Sequence, residues 1–394
     1  MKARRSGGGQ WRWAAPGRKR PEAMGWTAPH LGILSARLKV RTAVIDEKES
    51  THEAYAHRGR PGQERVSDPW RRLSREASLA AAFATRAMAS NVLEKIEPGC
   101  EIGMESCGGA HHWARQLETR GFRVKLIAPQ FVKPYVKSNK NDANDAEAIC
   151  EAMSRPSMRF VAIKTVEQQD IQATHRIRAG LIEQRTAKAN QIRGLVAEYR
   201  LIAPKELLSL RRAIPCWLED AGNGLTLRFR HLLDGLWGDL STLDERVKEL
   251  DTEISMIAAN EPNALCLQQL RGVGPMIATA LGAAIGDARQ FANGRQFAAS
   301  LGLTPRQHSS GGKDRLLGIS KRGDTYLRTL MVHGARSALR TANSKDDGLS
   351  QWVVRLAERS HANVAAIALA NKTARMAWAM LRNGTDYQPE RAAA

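Results

Sequence analysis

Lys140-Asn141-Asp142-Ala143-Asn144-Asp145-Ala146 decides how this chain of 394 residues is read. Asp142 and Asp145 stand three positions apart, so on a helix they share one face with Cβ atoms about 5–6 Å from each other. Like charges that close repel unless a cation lies between them. Working upstream, Cys100 to Met104 reads as a short apolar strand ending at Glu105. Gly108 and Gly109 lead into a helix through Trp113 and Leu117, and Phe122 to Ile127 alternates as a second strand that stops at Pro129. The aspartate helix then opens at Asn141 or Asp142 and runs to about Met153. Alternating strands and helices predict an α/β domain with a partly parallel sheet. Glu105, arriving from a strand end, would give the aspartate pair a third carboxylate. Such an all-oxygen set suits Mg²⁺, or Mn²⁺ in its place, and Mg²⁺ sites commonly handle phosphates. The plain alternative for Asp142 and Asp145 is helix capping, where acids meet the helix dipole. Lys133, Lys137 and Lys140 beside them, and Glu105 at the functional edge of the sheet, favour the metal reading.

Composition agrees. Lysine and arginine number 60 against 40 acids, and a net charge of +20 points to a polyanionic partner, of which nucleic acid is the commonest. An anionic membrane ranks lower, because no strongly amphipathic basic helix stands out. Cys100, Cys107, Cys150, Cys216 and Cys266 are odd in number and show no CxxC spacing, which excludes a disulfide framework and a zinc ribbon and fits a reducing cytosol. No apolar run approaches a membrane span, and the basic N-terminus lacks the apolar stretch of a secretory signal.

Residues 1–70 differ from the rest. They hold Trp11, Trp13, Trp26 and Trp70, and the first twenty residues contain seven Lys or Arg and no acid. They read as a disordered leader, as an altered start that replaces a native segment, or as a transit peptide. Residues 71–165 form the α/β domain, with a start near 40 if Asp46 belongs to it. Within it, residues 71–96 read as a helix, and Phe160 to Ile163 as one more strand. Residues 166–260 are a helical, coiled-coil segment, broken at Pro204 and Pro215, whose apolar stripe calls for a partner helix in this chain or another. Residues 261–385 are helical and basic, with eight Lys or Arg and two acids between Leu301 and Arg340.

Two further stretches carry candidate chemistry. Leu270-Arg271-Gly272-Val273-Gly274-Pro275 is similar to a helix-hairpin-helix turn, whose backbone N–H groups grip a DNA phosphate, or else is a plain turn between helices. In Gly302-Leu303-Thr304-Pro305-Arg306-Gln307-His308-Ser309-Ser310-Gly311-Gly312-Lys313, a serine beside a glycine pair has Arg306, His308, Lys313 and Arg315 near it. A serine can attack phosphorus when a base or metal activates it and cations hold the phosphate oxygens. By residue type alone, an exposed polar loop explains the stretch as well. His111 and His112 are adjacent, point in different directions on a helix, and read as surface or partner-contact residues.

Taken in order, Met104-Glu105-Ser106-Cys107-Gly108-Gly109-Ala110-His111-His112-Trp113, Lys140-Asn141-Asp142 with Asp145-Ala146, Gly272-Val273-Gly274-Pro275, Gly302-Leu303-Thr304-Pro305 with Ser310-Gly311-Gly312, and Gly318-Ile319-Ser320-Lys321-Arg322-Gly323-Asp324 resemble the DEDD-type transposases of bacterial insertion sequences, relatives of the Piv-type DNA invertases. The resemblance runs from about residue 80 to about 385. It implies an RNase H-like, RuvC-like N-terminal domain, a long helical segment that mediates assembly into dimers or tetramers, and a mainly α C-terminal transposase domain with the helix-hairpin-helix-like element. It implies that Glu105, Asp142 and Asp145 are three of four metal-binding acids and that Ser310, or Ser309 failing it, forms a phosphoserine link to DNA. It further implies guidance by a structured noncoding RNA, work in the bacterial cytoplasm at the nucleoid, and Lys140, Gly272, Gly274, Arg306, Lys313, Arg315, Lys321 and Arg322 as nucleic-acid contacts. The family opens on Gly-Ile-Asp-x-(Ser/Ala)-Lys, which is absent here. The nearest counterpart of its aspartate is Asp46, in Thr42-Ala43-Val44-Ile45-Asp46-Glu47-Lys48. Without that ligand, two other readings stay open: a nucleic-acid-binding remnant without turnover, and a metal-only nuclease or junction resolvase that needs no serine.

Overall fold

The computed structural model describes residues 42–45, 99–136 and 142–389, with 42–45, 142 and 143 given as backbone alone. All of them belong to one compact unit, Leu38–Ala394. The helix expected over 71–96, Asp46 and Lys140 lie outside the described residues.

The α/β part follows the predicted order. β1 (Thr42–Ile45) precedes β2 (Glu101–Glu105), α1 (Ala110–Glu118), β3 (Arg123–Ile127), the short α2 (Pro129–Val132), α3 (Asp142–Met153) and the two-residue β4 (Phe160–Val161). Among the described residues the sheet runs β1-β2-β3-β4, with β2 and β3 parallel and both outer pairings antiparallel, so the sheet is mixed. Side chains alternate across a strand. Ile102, Met104, Val124 and Leu126 therefore pack with Ala110, Ala114 and Leu117 of α1 on one face. Gly103 faces the other way, onto α3: a Cβ there would sit 3.0 Å from Ile149 Cγ2 and would collide with Met153. The helix can lie that close to β2 because residue 103 carries no side chain.

The partner for the long helix lies in the same chain. α4 (Val166–Ala197) and α6 (Leu227–Asn260) form an antiparallel pair, with α5 (Leu207–Glu219) packed at its far end. Leu233, Leu240, Val247 and Ile254 recur every seven residues and are all buried, the spacing of a coiled-coil seam. Arg178–Asp251 (2.5 Å), Arg185–Asp244 (3.2 Å) and Lys188–Asp239 (2.9 Å) cross between the helices. Each is part-exposed and worth at most about 1 kcal/mol, so the apolar seam holds the pair and the ions set its register. α4 begins with a full capping box between Thr165 and Gln168. Pro215 does not break the helical run. It lies inside α5, where burial of Leu210 and Ile214 outweighs one lost hydrogen bond, and the break falls instead on the turn around Gly222-Asn223-Gly224.

The C-terminal part is mainly helical: α7 (Pro262–Gln268), α8 (Pro275–Ile285), α9 (Gly294–Ser300), then β5 (Pro305–Gln307) and β6 (Leu316–Ile319), then α10 (Thr325–Arg340), α11 (Gly348–Arg359) and α12 (Ala362–Asn383). α8 is buried along nearly its whole length and is the centre of the largest core cluster. Among the described residues no helix is long and apolar enough to cross a membrane. Where the chain enters α10, Gly323 holds a left-handed φ of 88° and a Cβ on it would drive into the Ser300 carbonyl. Gly323→Ala combines that backbone strain with a clash against an atom that cannot rotate away. It should cost more than about 2 kcal/mol, read as a lowered denaturation midpoint, whereas Gly318→Ala, with open space around it, should stay within about 1 kcal/mol.

Candidate catalytic and nucleic-acid-binding site

Glu105 ends β2, and alternation puts it on the same side of the sheet as Gly103, the side that α3 covers. On α3, Asp145, Ile149 and Met153 make one stripe at four-residue spacing, and all three are buried, Asp145 to 3% exposure. Ile149 and Met153 pack on Gly103. Two of the expected acids, Glu105 and Asp145, thus belong to one face of the sheet. Asp142 is the first residue of α3, one turn before Asp145, and its side chain lies outside the described residues, as does Asp46. Among the described residues no three His, Cys, Asp or Glu side chains gather closely enough to hold a metal ion. β1 runs antiparallel to β2 and its last residue, Ile45, pairs with Glu101. That is the end of β2 away from Glu105, about 13 Å off at ~3.3 Å per residue.

The serine stretch is a β-hairpin and not a flexible loop. Ser310 bridges Lys313 across Gly311 and Gly312, whose φ angles of 57° and 75° make the two-residue turn that glycine pairs favour. The Lys313 N–H donates to Ser310 O (3.1 Å), and His308 N–H donates to Arg315 O (2.9 Å). Facing pairs are therefore 310/313, 309/314 and 308/315. The Ser309 hydroxyl donates to Asp314 Oδ1 at 3.1 Å, and Gln307 Nε2 donates to both Ser309 Oγ (2.8 Å) and Asp314 Oδ1 (3.2 Å). One face of the hairpin thus carries Gln307, Ser309 and Asp314. By alternation the other carries His308, Ser310, Lys313 and Arg315. The two serines, indistinguishable by residue type, sit in opposite electrostatic surroundings: Ser309 against a carboxylate, Ser310 among cations. Asp314 and Gln307 were missed in the sequence, although reading alternation outward from Gly311-Gly312 finds them.

Arg306, Lys313, Arg315, Lys321 and Arg322 are all exposed. Lys321 holds a left-handed φ of 54° without being glycine, and its N–H donates to Gly302 O while Ser320 N–H donates to Thr304 O. These bonds tie the 318–324 turn to the base of the hairpin. The Gly272-Val273-Gly274 turn divides its roles. A side chain at Gly272 would run into the Gly334 backbone of α10, so this residue serves packing, and Val273 is buried. Gly274 is exposed and caps the N-terminus of α8.

His111 is not a free surface residue. It is half-buried, and its Nδ1 accepts the Lys164 N–H at 3.2 Å. Burial first, then the charges of Lys164, Arg115 and Arg176, push it down to about 4. Arg115 donates to Lys164 O (2.5 Å) and to Gln169 Oε1 (2.6 Å), so α1 is stitched to the start of α4. His112 is exposed and meets Trp113 edge to face. Farther along α4, His175 is buried, with Nδ1 2.9 Å from the Tyr326 hydroxyl of α10 and Nε2 2.9 Å from the Thr279 hydroxyl of α8. Burial, helped by Arg178, holds it at about 4 as well. Both imidazoles are neutral in the folded chain but titrate near 6.5 in the unfolded one. Between pH 6.5 and 4 the unfolded chain binds more protons, so stability is complete above that window and falls as the pH falls through it. Thermal denaturation at pH 7 and pH 4.5 should show this loss, and His175→Gln should flatten the dependence while lowering stability at pH 7.

Two transposase family models match this chain. The model of the IS116/IS110/IS902 transposase family matches residues 264–349, and a second transposase model, the DEDD type of IS110, matches residues 67–201. A probable family 20 transposase of Pseudomonas aeruginosa is 50% identical over 293 residues, 74% of this chain and 87% of that protein. The transposase for insertion sequence element IS1111A of Coxiella burnetii is 46% identical over 303 residues, 77% of this chain and 83% of its own. The transposase for insertion sequence element IS1328 of Yersinia enterocolitica is 42% identical over 290 residues, 74% and 86% of the two chains.

Proposed function

This chain belongs to the IS116/IS110/IS902 family of transposases, and we propose that it cleaves and rejoins the DNA strands of an insertion sequence with a carboxylate-held metal and a serine nucleophile. The observation that carries the proposal is the partition of the hairpin, which leaves Ser310 on a face with Lys313 and Arg315 and turns Ser309 toward Asp314. A phosphodiester is an anion and approaches the cationic face. Ser310 would attack phosphorus there, with Lys313 and Arg315 holding the charge that builds on the phosphate oxygens.

Glu105, Asp142 and Asp145 would hold Mg²⁺ or Mn²⁺. The donors are carboxylates alone, the chemistry hard divalent cations prefer, and Glu105 and Asp145 share one side of the sheet. When bound there, the ion would supply charge stabilisation at the phosphate and at the departing oxygen. Arg306, Lys321 and Arg322, with the exposed N-terminus of α8 at Gly274, would contact backbone phosphates of DNA or of a structured guide RNA. The α4–α6 pair would serve assembly into a dimer or tetramer. The division into an RNase H-like part up to about 165, a helical segment to 260 and a transposase part to 385 belongs to the same reading.

A nucleic-acid-binding remnant without turnover is the second reading, and the observation behind it is β1, whose register takes the chain at Ile45 to the Glu101 end of β2. The two separate in an assay of excision and strand cleavage from a plasmid that bears the whole element. Ser310→Ala, Asp145→Asn and Glu105→Gln should each reduce cleavage by at least about 10³-fold, chelation of divalent metal should do the same, and Ser309→Ala should retain most activity. A protein–DNA adduct that disappears with Ser310→Ala excludes a metal-only nuclease. Binding without any metal-dependent cleavage by the unaltered chain would establish the remnant. Independently, Lys313→Gln and Arg315→Gln should each weaken DNA binding whatever the sequence and reduce the slope of log affinity against log salt by about 0.9.

A further inference from the structure

We propose that His308 is the proton acceptor for Ser310, an inference that rests on Ser310 being the nucleophile. A serine hydroxyl is a weak nucleophile until a base within reach takes its proton. On the hairpin face that holds Ser310, the neighbours are His308, two residues back on the same strand, Lys313, directly across, and Arg315, across from His308. Lysine and arginine side chains carry their protons at neutral pH and cannot accept another. The carboxylate of Asp314 could accept one, but it lies on the opposite face, bonded to the Ser309 hydroxyl and to Gln307. Imidazole is the side chain whose ordinary range brackets neutral pH, and residues i and i+2 of a strand lie about 6.5–7 Å apart on one face, a gap that the histidine side chain, the serine hydroxyl and one hydrogen bond between them would close. The two-residue glycine turn and the Gln307–Ser309–Asp314 bonds hold the strands in register, so this neighbourhood is built into the backbone.

The step balances without an outside reagent. An imidazole nitrogen of His308 takes the hydroxyl proton as the Ser310 Oγ–phosphorus bond forms. The bond from phosphorus to the departing deoxyribose oxygen breaks, that oxygen takes a proton from water, and the imidazolium returns its own proton to solvent. Lys313 and Arg315 stabilise the added charge on the phosphate throughout.

Two measurements test the pairing, one of which needs no DNA. Ser310→Cys places a thiol at the attacking position. Its alkylation by iodoacetamide, followed against pH on the peptide containing residue 310 by mass spectrometry, reports the thiol's titration. With His308 present, the apparent pKa should lie at least about one unit below that of the Ser310→Cys/His308→Gln double variant, because a Cys–His pair stabilises thiolate. Equal profiles would overturn the proposal, as would a His308→Lys partner that lowers the thiol as far as histidine does, since charge alone would then suffice. The second measurement uses full-length protein purified from cells carrying the whole element, with the element's plasmid as substrate. His308→Gln should slow single-turnover adduct formation by about 10²–10⁴-fold and change the pH profile of that rate. An unchanged profile sinks His308 while leaving Ser310 in place. An adduct that survives Ser310→Ala instead removes the nucleophile on which the inference stands.

Discussion

One neutral, buried imidazole ties the two halves of this protein together. His175 engages both ring nitrogens, with Tyr326 of α10 on one side and Thr279 of α8 on the other. It joins three helices by direction as well as by contact, beside the packing of α8 against α4, α6 and α10. From Tyr326 the constraint passes to the N-terminus of α10, capped by Asp324, then to the 318–324 turn, and through the Lys321 and Ser320 bonds to the base of the hairpin. In the other direction α4 leads back to Thr165, Lys164 and the stitches from Arg115 and His111 of α1. The helix that follows Glu105 and the hairpin that bears Ser310 are therefore linked through one continuous set of polar contacts. A further bond, Ala162 N–H to Gln290 Oε1 at 3.2 Å, runs beside it. On the proposed reading, carboxylates from one end of the chain and a hydroxyl from the other act together, and these contacts would be the strut between them.

Charge is segregated along the same path. The carboxylates at 105 and 145 lie on the sheet face under α3, while the exposed arginines and lysines of 306–322 stand on the hairpin and its neighbouring turn. A net charge of +20 spread evenly would attract nucleic acid without orienting it. On the proposed reading, charge concentrated on one hairpin, with that hairpin's one acid turned to the opposite face, would present phosphate to the Ser310 hydroxyl. Lys164 is pushed down to about 8, first by burial and then by the charge of Arg176, with Asp324 partly offsetting both.

Much of the fold was legible because its signals are local. The strand to Glu105, the helix from Ala110, the alternating strand to Ile127 and the helix from Asp142 follow from period and punctuation alone. The long helix was legible too, but its partner was not, since an apolar stripe does not name what covers it. The seven-residue recurrence from Leu233 to Ile254 would have supplied the name. Pro215 misled because its rule concerns one hydrogen bond, whereas burial of Leu210 and Ile214 is a tertiary fact. At the site, residue type could not separate Ser309 from Ser310. Strand alternation does, and reading alternation required recognising Gly311-Gly312 as a hairpin turn rather than a hinge. His111 and His175 gave no sign in the sequence, because a histidine's surroundings depend on residues as distant as Thr279 and Tyr326.

The glycine motifs divide between packing and exposure. Gly272-Val273-Gly274 reads either as a helix-hairpin-helix-like phosphate grip or as a plain turn between helices. Gly272 lets the turn touch Gly334 of α10, and each residue would collide with the other's backbone if either gained a side chain. Only Gly274 faces outward. The same division recurs at Gly302 and Gly323, which press one backbone on another, against Gly311 and Gly312, which have open space around them. In each case an inward glycine fixes a turn beside an outward one. Positional accuracy at a phosphodiester is worth more than an additional charge, because catalysis rewards only contacts that strengthen as the reaction proceeds. Under the proposed function, the inward glycines would serve the chemistry by fixing the turns that carry the reacting residues.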